Sequence, residues 1–234
     1  MRWTLAENPF EVLTRRRFTG MDVLLADHLS KCGLEAAKRP TDAELSTIHQ
    51  RAMAARTAWN VAYLRWTVSR RTHKGRTFAV NQLVSQLRGR QIGLWQVMVQ
   101  QTDLANRTWL KGSLAFSDLF PQGRRPFQQG AIEARQGALC DLASALEVHP
   151  ALTDIALLVR AFHTELATAL TLQREAQAAM MQASAELEKQ RKTAAGALYR
   201  NMARLMEKYA DNPAVIWNFF ERKLISKRPA EKAS

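Results

Sequence analysis

The sequence predicts an all-α fold: an elongated antiparallel helical bundle of about four main helices, two of them long, with short helices at both ends. Three observations predict it. Apolar residues recur at alternating three- and four-residue spacings over long stretches. Helix-start signals stand where those spacings begin. Gly and Pro number only 10 and 7 in 234 residues and gather at a few breaks. A hydrophobic content of 47% at this length fits a globular chain with a sizeable core, in one large domain or two small ones.

The expected organisation is a helical arm at 1–40, a bundle at 41–225 and a flexible tail at 226–234. In the arm, "NPFEVLTRRRF" offers Asn8 as N-cap and Pro9 at the first helical position. "MDVLLADHLSKCG" follows with an apolar face and Gly33 as a stop. Arg15, Arg16 and Arg17 suit the end of the first piece, where cations complement the helix dipole.

The bundle opens at "RPTDAELSTIHQ", where Thr41 and Glu44 have the spacing of a capping box. Leu45, Ile48, Ala52, Ala55, Trp59, Ala62 and Trp66 then form a heptad seam, predicting a helix over 42–71 that Gly75 ends. A second helix over 77–110 has Leu83, Leu87, Leu94, Met98 and Ala105 as core candidates. Its Gly89 and Gly93 imply either close packing or a kink. Together these two form a hairpin at 41–110.

Residues 111–127 read as a loop, pinned by Phe116, Leu119 and Phe120. A helix over 128–147 presents Ile132, Leu139, Leu142 and Leu146, with Cys140 as a small core residue. "HPALTD" breaks it, and a long helix over 151–210 follows, with a kink at Gly196 as one option. Its apolar positions begin with Ile155, Leu158, Phe162, Leu166 and Ala169 and resume at Leu198, Met202, Leu205 and Tyr209. Met180 and Met181 between them read as core or interface filler. Asn212 and Pro213 start a short helix at 213–225 whose Ile216, Phe219 and Phe220 dock on the bundle.

Several function classes find no support. There is no HExxH, GxxxxGK[ST], strand-linked GxGxxG or GxSxG pattern. No Glu is followed three residues later by His, so the Glu-x-x-His signature of a carboxylate-bridged di-iron bundle is missing. The five histidines share no helical face at ligand spacing. The expectation is a non-enzymatic protein with no metal and no cofactor. Cys32 and Cys140 lie far apart with no CxxC partner, which fits a reducing, cytoplasmic address rather than a disulfide framework. No run of 18 apolar residues exists, so no membrane span is expected, and the N-terminus lacks the apolar core of a secretory signal.

Charge is the informative feature. The net charge is +13, and residues 45–130 carry +11 of it, with thirteen basic and two acidic side chains. No Asp or Glu occurs between Glu44 and Asp103, whereas nine Arg and Lys do. With Leu45 at heptad position a, Arg56 and Arg70 fall at e and Arg51 and Arg65 at g, positions that usually face carboxylates on a neighbouring helix. Either Glu165, Glu175, Glu186 and Glu188 of the long helix neutralise them, or the hairpin keeps a positive face for an external anion.

The second option makes nucleic acid, DNA or RNA, the first candidate partner. Arg56, Arg65, Arg70, Arg71, Lys74, Arg76, Arg88, Arg90, Arg124 and Arg125 would contact phosphates, and Tyr63 would stack on a base. Trp59 and Trp66 belong to the seam and are expected in the core. Arg70 and Arg71 also suit the last turn of a helix ending at Gly75. No helix-turn-helix or other DNA-reading motif is present, so contacts should be to backbone, with little sequence preference. The alternative is a structural or interaction subunit, homo- or hetero-oligomeric through its helical seams, with the arginines facing an acidic protein partner.

Overall fold

The computed structural model describes residues 21–109 and 116–220. Seven α-helices run through them: α1 (Met21–Ala37), α2 (Ala43–Gln86), α3 (Ile92–Trp109), α4 (Phe116–Leu119), α5 (Arg125–Gln128), α6 (Ile132–Glu147) and α7 (Thr153–Lys208). A π-helical turn, Leu87–Gln91, joins α2 to α3, and 3-10 turns cover Pro150–Leu152 and Pro213–Asn218. No strand occurs among the described residues, and the chain is an all-α helical bundle. The first expected helical piece, with Arg15 to Arg17, and the C-terminal tail lie outside the described residues.

The chain divides into two compact units, one of residues 1–69 and 180–234 and the other of residues 70–179; α2 and α7 contribute to both.

In the first unit, α1, α2, α7 and the Pro213–Asn218 turn share one core. Leu25, Leu29, Leu45, Ile48 and Phe220 are among its fully buried side chains, joined by Trp59, Leu198, Leu205, Ile216 and Phe219. Each such aliphatic side chain contributes about 1.5–3 kcal/mol by leaving water. The heptad seam therefore packs as expected, and Ile216, Phe219 and Phe220 dock on it. The docking element is a 3-10 turn in which Asn212 makes no side-chain cap.

Two local signals act differently from expectation. Gly33 does not stop α1; a Cβ there would lie 3.0 Å from Met53 Sδ, so this glycine serves a close helix approach. Thr41 and Glu44 form no capping box. Asp42 is the N-cap, its Oδ1 accepting from the amides of Glu44 and Leu45, both at 3.1 Å.

The second unit corrects the hairpin. Helix α2 continues through Gly75, which is exposed with open space around it. One exposed glycine costs a helix only about 1 kcal/mol. The apolar face that continues beyond it, with Val80, Leu83, Val84 and Leu87 buried, outweighs that cost. Arg70 and Arg71 are consequently mid-helix residues, and the dipole explanation for them falls.

The interruption comes at the π turn, where Ile92 N–H bonds the Leu87 carbonyl five residues back. This extra residue rotates the following face by one position. Helix α3 thus buries Ile92, Trp95 and Val99, while Leu94 is 47% exposed and Met98 only partly covered. Trp95 meets Phe162 of α7 edge-on, 5.6 Å between centroids.

Leu119, Phe120 and Phe127 anchor the described part of the loop in this core. Gly123 (φ 59°) and Gly130 (φ 85°) take left-handed conformations open to glycine. Gly130 explains why α6 starts at Ile132 and not at 128. On α6, Leu139, Leu142 and Leu146 are buried, and Cys140, about 100° around the helix from Leu139, is exposed instead of buried. Helix α7 runs unbroken through Gly196. Along it Val159 takes the buried position expected of Leu158, which is 48% exposed, and Met181 is 63% exposed. The run Pro150–Lys208 contains an 18-residue window with mean hydropathy 1.4; by length and composition it is apolar enough to cross a membrane, a test that a core helix also passes.

Candidate functional site

The expected phosphate-binding residues fall into the two units. In the first, Arg56 is half-buried and Arg65 exposed. Tyr63 is half-buried and stacks on Trp59, 5.1 Å between centroids and 18° between planes, and Trp66 is tilted against it at 5.9 Å. This aromatic row is packed on the core, as expected for Trp59 and Trp66, and Tyr63 joins it. Arg51 is occupied inside the unit: its Nη1 donates to Oδ1 of the fully buried Asn201 at 3.0 Å.

In the second unit, Arg70, Arg71, Lys74 and Arg76 are exposed on α2. Arg76 borders a groove with Ala79, Leu83, Glu165, Ala169 and Leu172. Phe78, four residues beyond Lys74, is 64% exposed. Sequence spacing places it on no apolar face, which is the available signal for an outward aromatic.

The remaining cations gather around the π turn. Arg88 and Arg90 belong to the turn itself and are exposed. Arg124, in the segment leading into α5, lies against Gly93, where a Cβ would come within 3.3 Å of its Nη2, and its Nε donates to Gln96 Oε1 at 2.7 Å. Arg125 Nε donates to Gln129 Oε1 at 3.0 Å. Gln128 Nε2 ties the segment to the turn by donating to the Arg88 carbonyl at 3.1 Å. The fold thus brings a loop pair and a helix pair, some 35 residues apart in sequence, to one place.

A further arginine belongs to this group and was missed by sequence reasoning. Arg135, in the first turn of α6, is 4% exposed. Its Nη2 donates to the carbonyls of Gly130 at 2.8 Å and Gln128 at 3.4 Å, and its Nε has no partner. Burial, with the charge of Arg88 as a second cause, lowers the Arg135 guanidinium below the ordinary arginine range. The sequence held one signal for it: Arg135 precedes Leu139, Leu142 and Leu146 at four-, three- and four-residue spacing, on the core stripe.

Among the described residues, Arg56 and Arg65 pair with no acid of α7. Ion pairs in the described residues include Lys38 with Glu35, Arg160 with Glu147, Arg174 with Glu133, Arg191 with Glu188, Arg204 with Glu207, and Lys208 with Asp42 and Glu44. Among the described residues, no carboxylate pairs with Arg56, Arg65, Arg71, Lys74, Arg76, Arg88, Arg90, Arg124 or Arg125. Glu165 borders the groove of Arg76 without an ion pair, and Glu186 takes a bond from Gln190 at 2.7 Å.

Among the described residues, no three His, Cys, Asp or Glu side chains gather as a metal-ligand set. Cys32 is fully buried, and burial pushes its thiol up to about 12, so its thiolate is scarce at neutral pH. No family model, curated protein or solved structure matches this chain.

Proposed function

We propose that this chain is a non-enzymatic helical protein that binds the backbone of nucleic acid, with little sequence preference, through the basic surface of its 70–179 unit. The observation that carries the reading is that Arg71, Lys74, Arg76, Arg88, Arg90, Arg124 and Arg125 have no carboxylate partner among the described residues, in a stretch, 45–130, with thirteen basic and two acidic side chains. Exposed guanidinium groups without carboxylates are free to form bidentate phosphate contacts and release counterions. Phe78, exposed beside Lys74, offers a face on which an unpaired base can stack.

The test is a titration of mixed-sequence DNA and RNA, single- and double-stranded, across several salt concentrations. Affinity should fall steeply with salt. Neutralising Arg71, Lys74 and Arg76 together to Gln should reduce the slope of log K against log salt by about 0.7–0.9 for each phosphate that is no longer neutralised. Phe78→Ala should weaken single-strand binding by about 1–3 kcal/mol and leave duplex binding nearly unchanged. Absence of binding at low salt sinks the reading.

An acidic protein partner is the second reading, favoured by a separate observation in the other unit. Val61, Leu64 and Val68 are 56%, 64% and 61% exposed at three- and four-residue spacing on α2, with Arg65 beside them. An apolar stripe bordered by a cation suits an acidic amphipathic helix. Leu64→Glu distinguishes the readings: it abolishes capture of such a helix and leaves the salt slope for nucleic acid intact.

A further inference from the structure

Among the described residues, Arg135 is an unusual group. It is an almost fully buried guanidinium in the first turn of a 16-residue helix, where the dipole opposes a positive charge. The N-cap residue of that helix, Ala131, supplies no side-chain acceptor. Glu133, in the same turn, is directed to Arg174 at 3.1 Å. No carboxylate among the described residues pairs with Arg135, and two backbone carbonyls are its only hydrogen-bond acceptors there. Buried charges are ordinarily paired, because an ion that leaves water without a counter-charge is strongly destabilised.

A second cation stands next to it. Gln128 connects the two arginines: its carbonyl accepts from Arg135 and its side-chain amide donates to the Arg88 carbonyl. The segment Arg125–Gly130 is thereby clamped between the π turn and the start of α6. Arg88 is exposed and Arg135 buried. Arg88 and Arg135, tied to one segment through Gln128, place two like charges beside a helix start without a side-chain cap, and no carboxylate among the described residues pairs with either.

We infer that the π turn Leu87–Gln91, the clamped segment and the start of α6 form a discrete phosphate-binding site, with Arg88 as the contacting group and Arg135 as the positioning residue. The inference rests on the nucleic-acid reading and deepens it, by assigning one backbone phosphate to a built position. The same chemistry accepts a free phosphate, and the experiment separates the two sources. Arg135 acts through Gln128 and Gly130, whose carbonyls it holds, and through its own positive field.

The experiment uses the full chain with inorganic pyrophosphate as probe, followed by calorimetry and thermal melting, alongside the salt titration with mixed-sequence DNA. Wild type should bind pyrophosphate and melt higher with increasing concentration. Arg88→Gln should leave the melt without pyrophosphate unchanged and weaken the probe at least tenfold. Arg135→Met should melt no lower than wild type without the probe, since an apolar side chain relieves an uncompensated charge, and should lose the probe-dependent rise. Arg135→Lys, which keeps the charge, should retain part of that rise, an outcome that a purely structural role would not produce. If Arg135→Met does not fold, Arg88→Gln still decides.

Equal pyrophosphate affinity in wild type and Arg88→Gln overturns the site. Nucleic-acid binding whose salt slope ignores Arg88→Gln also overturns the site and leaves the wider reading standing. Pyrophosphate binding without any nucleic-acid binding supports the site as one for free phosphate and overturns the wider reading.

Discussion

The guanidinium of Arg124 lies across the bare Cα of Gly93, so close that a Cβ would stand 3.3 Å from Nη2. Gly93→Ala should be tolerated. The far end of a flexible side chain yields by a few tenths of an ångström, and Ala favours a helix over Gly by about 1 kcal/mol. Gly93→Leu should displace Arg124 from Gln96 and reduce affinity for mixed-sequence DNA a few-fold at low salt. Melting curves and a salt titration of both variants check this; unchanged binding by Gly93→Leu removes Arg124 from the surface.

Asn201 is fully buried and accepts from Arg51 while donating to the Ile48 carbonyl at 3.3 Å. Asn201→Ala leaves Arg51 without its acceptor in a half-buried position. A decrease of about 1–3 kcal/mol in urea unfolding is expected. Arg51→Gln combined with Asn201→Ala should cost less than the sum of the two single changes. Additive costs would mean the pair does not act as a unit.

The start of α2 is clamped to the end of α7 by Lys208 and Asp42, 2.7 Å apart. The hydrogen bond from Lys208, then the Leu45 amide, lowers the Asp42 carboxyl below its ordinary range, and bonding to Asp42 raises Lys208 above its own. A lowered carboxyl contributes stability above its unfolded pKa and loses it as pH falls through the folded value. A raised lysine contributes below its unfolded pKa and loses it as pH rises through the folded value. Asp42→Asn keeps a capping oxygen but not the charge, so its deficit against wild type should be present at neutral pH and vanish in strong acid. Asp42→Ala should lower Tm by about 2–4 °C more, by losing the cap as well. A deficit of Asp42→Asn that persists unchanged into acid contradicts the clamp.

Cys140 is exposed and Cys32 buried with its thiol raised to about 12. A thiol reagent at neutral pH should modify one cysteine in the native chain and two after unfolding. Mass spectrometry should locate the native adduct on Cys140; modification of native Cys32 would mean that the first unit opens readily.

Much of the fold was legible because burial imposes a period on the sequence. The seam from Leu45 to Trp59 and the apolar spacing of α6 follow directly from one helix face leaving water. Punctuation was less reliable. Gly33 and Gly75 look alike as helix stops, yet the first serves packing against Met53 and the second simply sits exposed in a continuing helix. The free energy that decides between these lies in residues dozens of positions away.

For the candidate site, the sequence alone determined the uneven charge: an acid-free run from Leu45 to Thr102 cannot acquire carboxylates by folding, except from elsewhere. It determined the helical class for the same local reason. Only tertiary structure decided that a π turn shifts the face of α3 by one residue, and that Arg88, Arg124 and Arg135 gather around one turn. Those outcomes depend on long-range packing, which local spacing does not encode. Burial then made Arg135 anomalous, since a guanidinium that is ordinary in water becomes costly once its neighbours exclude it.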